Sequence, residues 1–208
     1  MKLLPHLIVL LASAAALPAG ATTLDFEALP RGTVITTQLQ AQGVLVSGID
    51  TSFCCQPGRV INTTAADLGV FNFGGSGHQA LVYGVAGDQL NFDFVLPNTS
   101  TPTTWSTVSL RVGDGDFASE KFRVTFKGLG GNVLNVQEFI TGAGPVNGGA
   151  TVSFSGAGVQ RVEVLGLVFA SGGGVDDLSF SSPVPEPATA ASLLAGLLLV
   201  AARRRLRG

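Results

Sequence analysis

The chain has 208 residues, only 12% of them charged, with 28 glycines and a formal net charge of −2. Between Thr22 and Pro183 there are 13 acidic and 7 basic residues, a balance near −6, because five of the twelve basic residues sit at the two ends. A mildly acidic body excludes nucleic acid and anionic lipid surfaces as partners. The only two cysteines, Cys54 and Cys55, are adjacent, which excludes a disulfide framework because that needs separated partners.

The amino end has the layout of a secretory signal. Lys2 supplies the positive region, Leu3 to Leu17 the apolar stretch, and Ala19 and Ala21 the small residues at −3 and −1 of a cleavage site. Residues 1–21 are therefore expected as a removable signal helix, with the mature chain starting near Thr22 outside the cytoplasm. Pro5, Pro18 and the short run argue against a permanent span.

From Thr22 the pattern changes to short runs divided by glycine. Thr23 to Glu27 alternates, Leu29-Pro30-Arg31-Gly32 turns, and Gly43 to Gly48 is a strand between glycines. Strands are then expected at Ala80–Tyr83, Gln89–Val95, Ser106–Val112, Lys121–Phe126, Val133–Ile140, Ala150–Phe154, Val159–Val168 and Val175–Phe180. In the fourth of these, Phe122, Val124 and Phe126 stand opposite Lys121, Arg123 and Lys127, one face apolar and one wet. About eleven short strands with no helix before Ala188 predict an all-β chain, an antiparallel β-sandwich of jelly-roll type over residues 22–182.

Several residues carry chemistry. Gly113-Asp114-Gly115-Asp116 begins like a calcium loop, but Ala118 and Thr125 stand where further ligands belong, so an Asp-Gly hairpin turn is expected. Glu27 near one end and Asp176 and Asp177 near the other are a second oxygen-rich set for calcium. Neighbouring strand residues face opposite ways, so one of Asp176 and Asp177 is expected to face inward or to lie at an edge, where a lone carboxylate is costly. Trp105 and Tyr83, with Phe53, are candidate sugar-stacking rings, whereas Phe92, Phe94, Phe122 and Phe126 are expected in the core. His78 is the one histidine left after signal removal, so a four-ligand zinc site is excluded. It could serve as a base, with Cys54 or Cys55 as a thiolate, but no third group is indicated.

The carboxyl end breaks the strand pattern. Ala188 to Ala202 is 15 residues without charge, about 22 Å as a helix against about 30 Å of hydrocarbon. Arg203, Arg204, Arg205 and Arg207 follow and should stay cytoplasmic. Val184-Pro185-Glu186-Pro187, the short apolar helix and the terminal arginines together resemble the PEP-CTERM sorting signal over residues 183–208. That resemblance implies a single transmembrane helix and cleavage near Pro-Glu-Pro by an exosortase, a membrane transpeptidase. It also implies a Gram-negative bacterium that makes exopolysaccharide, and a protein membrane-anchored only until processing to the surface or beyond.

The body, from "LDFEALPRGTVITTQLQAQGVLVSG" to "GVDDLSF", resembles galactose-binding-like and carbohydrate-binding-module jelly rolls. The resemblance implies that the first and last strands lie side by side, with acidic residues from both holding structural calcium. The expected function is a non-catalytic, exosortase-processed surface or matrix protein associated with exopolysaccharide. A calcium-stabilised carbohydrate-binding module is the alternative, and a secreted hydrolase the second alternative.

Overall fold

The computed structural model describes residues 20–51, 56–65, 70, 73–84, 86–114, 119–142, 148–168 and 173–181. The expected signal helix, the PEP-CTERM tail, Phe53, Cys54, Cys55 and Asp116 lie outside these. The described residues form ten strands: β1 (Thr22–Leu24), β2 (Val44–Ile49), β3 (Val60–Asn62), β4 (Gln79–Gly84), β5 (Gln89–Phe94), β6 (Trp105–Gly113), β7 (Lys121–Gly128), β8 (Val133–Ile140), β9 (Gly149–Val168) and β10 (Gly173–Ser181). Short 3-10 turns at Gln40–Gln42 and Thr63–Ala65 are the helical segments among the described residues, and no helix there is long and apolar enough to cross a membrane.

All pairings between strands are antiparallel, and the ladder folds into two layers. Sheet A runs β3-β4-β10-β6 and ends on the first part of β9, with β1 beside the far end of β10. Sheet B runs β2-β5, then the second part of β9, then β7-β8. The expected antiparallel sandwich is therefore present, and the first and last strands are neighbours: Thr22 pairs with Phe180 and Leu24 with Leu178.

The layers close on apolar side chains that the period-two pattern turns inward. Phe122, Val124 and Phe126 of β7 are buried, as are Phe92 and Phe94 of β5. Rings meet across the layers, Phe94 with Phe180 at 5.0 Å and Tyr83 with Phe122 at 6.0 Å between centroids. Strand β4 is buried on both faces. Leu81 and Tyr83 join the main core, while Ala80 and Val82 meet Ile61, Val70 and Phe73 in a second cluster on the other side of sheet A.

Three sequence expectations are corrected. The runs at Ala150–Phe154 and Val159–Val168 are one strand, β9, which leaves β6 and joins β5 and β7 around Gly156-Ala157-Gly158. Gly158, at φ 76°, takes a left-handed backbone there, which costs glycine nothing and other residues strain. Val60–Asn62 is a strand that three residues of sequence do not announce. The Asp114 segment does not close a hairpin, because β6 pairs with β9 and β10 while β7 pairs with β8 and β9. It carries the chain from one sheet to the other.

Candidate functional site

Glu27, Asp176 and Asp177 come together where β1 leaves sheet A. Phe26 (φ 60°) and Asp177 (φ 51°) are both in the left-handed region, so the chain turns sharply at each, and the β10 register slips between Asp176 and Ser179. The segment from Phe73 to Gln79 is strapped across the acids. His78 and Gln79 donate backbone N–H groups to Glu27 Oε1 at 2.7 and 2.6 Å, and Ser76 N–H reaches Asp177 Oδ2 at 3.1 Å. Arg111 fixes the strap from below, donating Nε to the Phe73 carbonyl at 2.7 Å. A Cβ on Gly75 would overlap the Asp176 carboxylate and one on Gly77 the Glu27 carboxylate, so the strap lies this close only as glycine.

Asp176 is the buried member, 2% exposed. Burial first, and then the charges of Asp177, Glu27 and Asp25, push its carboxyl up to about 8, against the Asp177 N–H that it accepts at 2.7 Å. The donors are all oxygen, the set that calcium takes. A buried acid beside three others is also what a divalent cation would offset. Among the described residues, however, no three His, Cys, Asp or Glu side chains gather into a metal-holding group.

The other sequence candidates are dispersed. Tyr83 is fully buried in the core, its hydroxyl held far above the usual phenol range by burial and then by the charges of Glu120 and Asp114. It is not a sugar platform. Trp105 is half-buried against Phe180 at 5.0 Å, its Nε1 buried without a partner among the described residues. Asp114 is fully buried, its N–H on the Gly148 carbonyl. His78 is exposed, and its Nδ1 lies 2.9 Å from the Thr64 hydroxyl.

The outer face of sheet B was not singled out as a site by the sequence. Register places Ser47, Asn91, Glu163 and Thr125 in one row across β2, β5, β9 and β7, and Asp93, Arg161 and Lys127 in the next. Arg161 Nε meets Asp93 at 2.6 Å, Lys127 Nζ meets Glu163 at 2.6 Å, and Lys121 meets Glu138 at 2.8 Å. Asp93 holds the Arg161 guanidinium above its usual range, and Lys121 with Arg123 holds the Glu138 carboxyl below its own.

Each end of this face carries a cleft. At the β2 edge, one of about 280 Å³ is lined by Val34, Ile35, Thr36, Ser47, Asp50, Gln56 and Pro57. It forms because the 34–36 segment pairs on both sides, Val46 N–H to the Thr36 carbonyl and Ile35 N–H to the Gly58 carbonyl. Gln56 holds a left-handed φ of 40° in its wall. At the β7–β8 turn, a second of about 270 Å³ is lined by Lys127, Gly130, Gly131, Gln160 and Arg161. The signal for this face was present in the alternating Lys121, Arg123 and Lys127, but the strands that stand beside them are a property of topology.

No family model and no curated protein matches the chain. Solved structures of similar chain path include a family 35 carbohydrate-binding module from Clostridium thermocellum, at 17% identity and TM-score 0.39 over 79% of this chain and 100% of that one. TmCBM61, solved in complex with beta-1,4-galactotriose, is similar at 14% identity and TM-score 0.45 over 73% and 100%. The K3 adhesin domain of Lys-gingipain from Porphyromonas gingivalis is similar at 17% identity and TM-score 0.40 over 78% and 98%. Two of these neighbours are carbohydrate-binding modules by name, and at this level of likeness none bears on what this chain binds.

Proposed function

We propose that the chain is a secreted jelly-roll module that binds saccharide and performs no chemistry, exported by its signal, held by its tail and released to the surface by an exosortase. The observation that carries the binding reading is the outer face of sheet B. It offers amide, hydroxyl, carboxylate and cationic groups in rows across four strands, with the β2 cleft at its edge. Saccharides are recognised by such convergent polar groups beside a modest apolar wall, and Val34, Ile35 and Pro57 supply the wall beside Thr36, Ser47, Asp50 and Gln56.

Glycan-array binding followed by calorimetry tests this. A hydrogen bond from an uncharged side chain is worth about 1 kcal/mol, so Gln56→Ala is expected to weaken binding roughly five- to tenfold without changing the melting temperature by more than a degree or two. Silence across the array, or Gln56→Ala binding as tightly as the unaltered chain, would remove the reading.

Calcium stabilisation is a second reading, favoured by Asp176, a buried acid next to three others. Bound calcium would take the place of the proton that Asp176 otherwise holds, with Glu27, Asp176 and Asp177 as its holders. Calcium is expected to raise the melting temperature of the chelator-treated chain and to leave Asp176→Asn unmoved. An equal rise in both, or none in either, counts against it.

A further inference from the structure

Cross-strand register sets Lys127 of β7 directly beside Arg161 of β9 on the outer face of sheet B. Two like charges opposite one another weaken a sheet, so this pair works against the strands that display it. The cost is offset from the flanks: Asp93 takes Arg161 Nε at 2.6 Å and Glu163 takes Lys127 Nζ at 2.6 Å. The carboxylates engage each cation on one side. Arg161 Nη1 stands 3.9 Å from Glu163, and the remaining side of the pair borders the 270 Å³ cleft at the β7–β8 turn. Nothing lies within 4 Å of where a Cβ would stand on Gly130 or Gly131, so that wall of the cleft is open. Gln160, which donates to Asp93 at 3.3 Å, adds an amide to the lining.

The charge distribution agrees. Of the seven cations between Thr22 and Pro183, four (Lys121, Arg123, Lys127 and Arg161) lie on the strands of this one face, against three of the eleven described acids, Asp93, Glu138 and Glu163. An acidic body thus presents one face with a slight positive excess.

We propose that the Lys127–Arg161 cleft binds the anionic group of an acidic saccharide, a carboxylate or sulfate carried on a sugar ring. This rests on the saccharide reading of the sheet B face and names the ligand class within it. The oxyanion would sit between the ammonium and the open side of the guanidinium, where charge-assisted bonds are short and strong. The ring hydroxyls would meet Gln160 and the flanking carboxylates. Relief of the Lys127–Arg161 repulsion by the bound anion adds to the affinity.

The test is calorimetry of the purified chain with three probes: oligogalacturonate for a carboxylate source, dextran sulfate for a sulfate source, and a neutral galacto-oligosaccharide. At least one anionic probe is expected to bind at least tenfold more tightly than the neutral one, and to lose about tenfold in affinity with Lys127→Gln and again with Arg161→Gln. The neutral probe should lose clearly less than the anionic one with each variant. The anionic preference should also fall as salt rises from about 0.05 to 0.5 M in the unaltered chain, where charges at a surface are screened; this arm decides the matter should either variant fail to fold. Neutral and anionic probes bound alike overturn this assignment alone and leave the saccharide reading standing, and no binding of any probe removes both. Variants that bind the anionic probe as the unaltered chain does would show the cation pair to be only part of the sheet's ion ladder.

Discussion

Burial and its acidic neighbours hold the Asp176 carboxyl near 8 in the folded protein against an ordinary 3.8, so at neutral pH the native state carries a proton there that the unfolded chain has released. Stability then falls as pH rises between those two values, since the native state binds the extra proton throughout that window. Below about 4 both states are protonated and the dependence vanishes; above about 8 the full cost is present. In chelator-treated protein the melting temperature is therefore expected to fall from pH 5 to pH 8.5, and Asp176→Asn should flatten that slope. A slope equal in both proteins would place its origin in another group. The nearness of Glu27 to Asp176 and Asp177 is what the jelly-roll resemblance implies, since it sets the first and last strands side by side. The Phe73–Gln79 strap that covers them was not legible in the sequence. Its glycines read as a loop, and only the overlap at Gly75 and Gly77 reveals how closely its backbone approaches.

Strand β9 is the element on which the architecture turns. Its first part completes sheet A and its second part is central in sheet B, flanked by β5 and β7. Gly158→Val should put a branched side chain into a left-handed backbone at a cost of about 1–3 kcal/mol, read as a lower urea midpoint with an unchanged slope. A midpoint that does not move would mean the bend tolerates a side chain. Alternation revealed nine of the ten strands, in part or whole, because inward positions such as Phe122, Val124 and Phe126 must be apolar. It split β9 because Gly156-Ala157-Gly158 resembles a turn, and it missed β3 because Val60–Asn62 is too short to alternate. The burial of Tyr83 is hidden for a related reason: β4 is buried on both faces, so no polar neighbour marks which side of it is wet.

For the molecule as a whole, composition separates an acidic body from basic ends, and the tail resembles a sorting signal. Replacing Pro185, Glu186 and Pro187 with alanine is expected to leave uncleaved, membrane-held protein, detected by fractionation and mass spectrometry of the carboxyl end. Normal release of that variant would contradict exosortase processing. The face proposed to bind saccharide has no comparable signature in the chain. Its groups come from β2, β5, β7 and β9, far apart in sequence, and only the strand order makes them a surface.

The pairing of β1 with β10 has a mechanical consequence. Thr22 lies beside Phe180, so the chain enters and leaves sheet A at one corner, and a pull on the residues after Ser181 is delivered straight into β10. That strand is bonded to β6 on one edge and to β1 and β4 on the other. A tug directed along it must shear both ladders at once instead of peeling one bond at a time. A body gripping a polymer on sheet B while tethered through its last strand would carry tension through an element bonded along both edges.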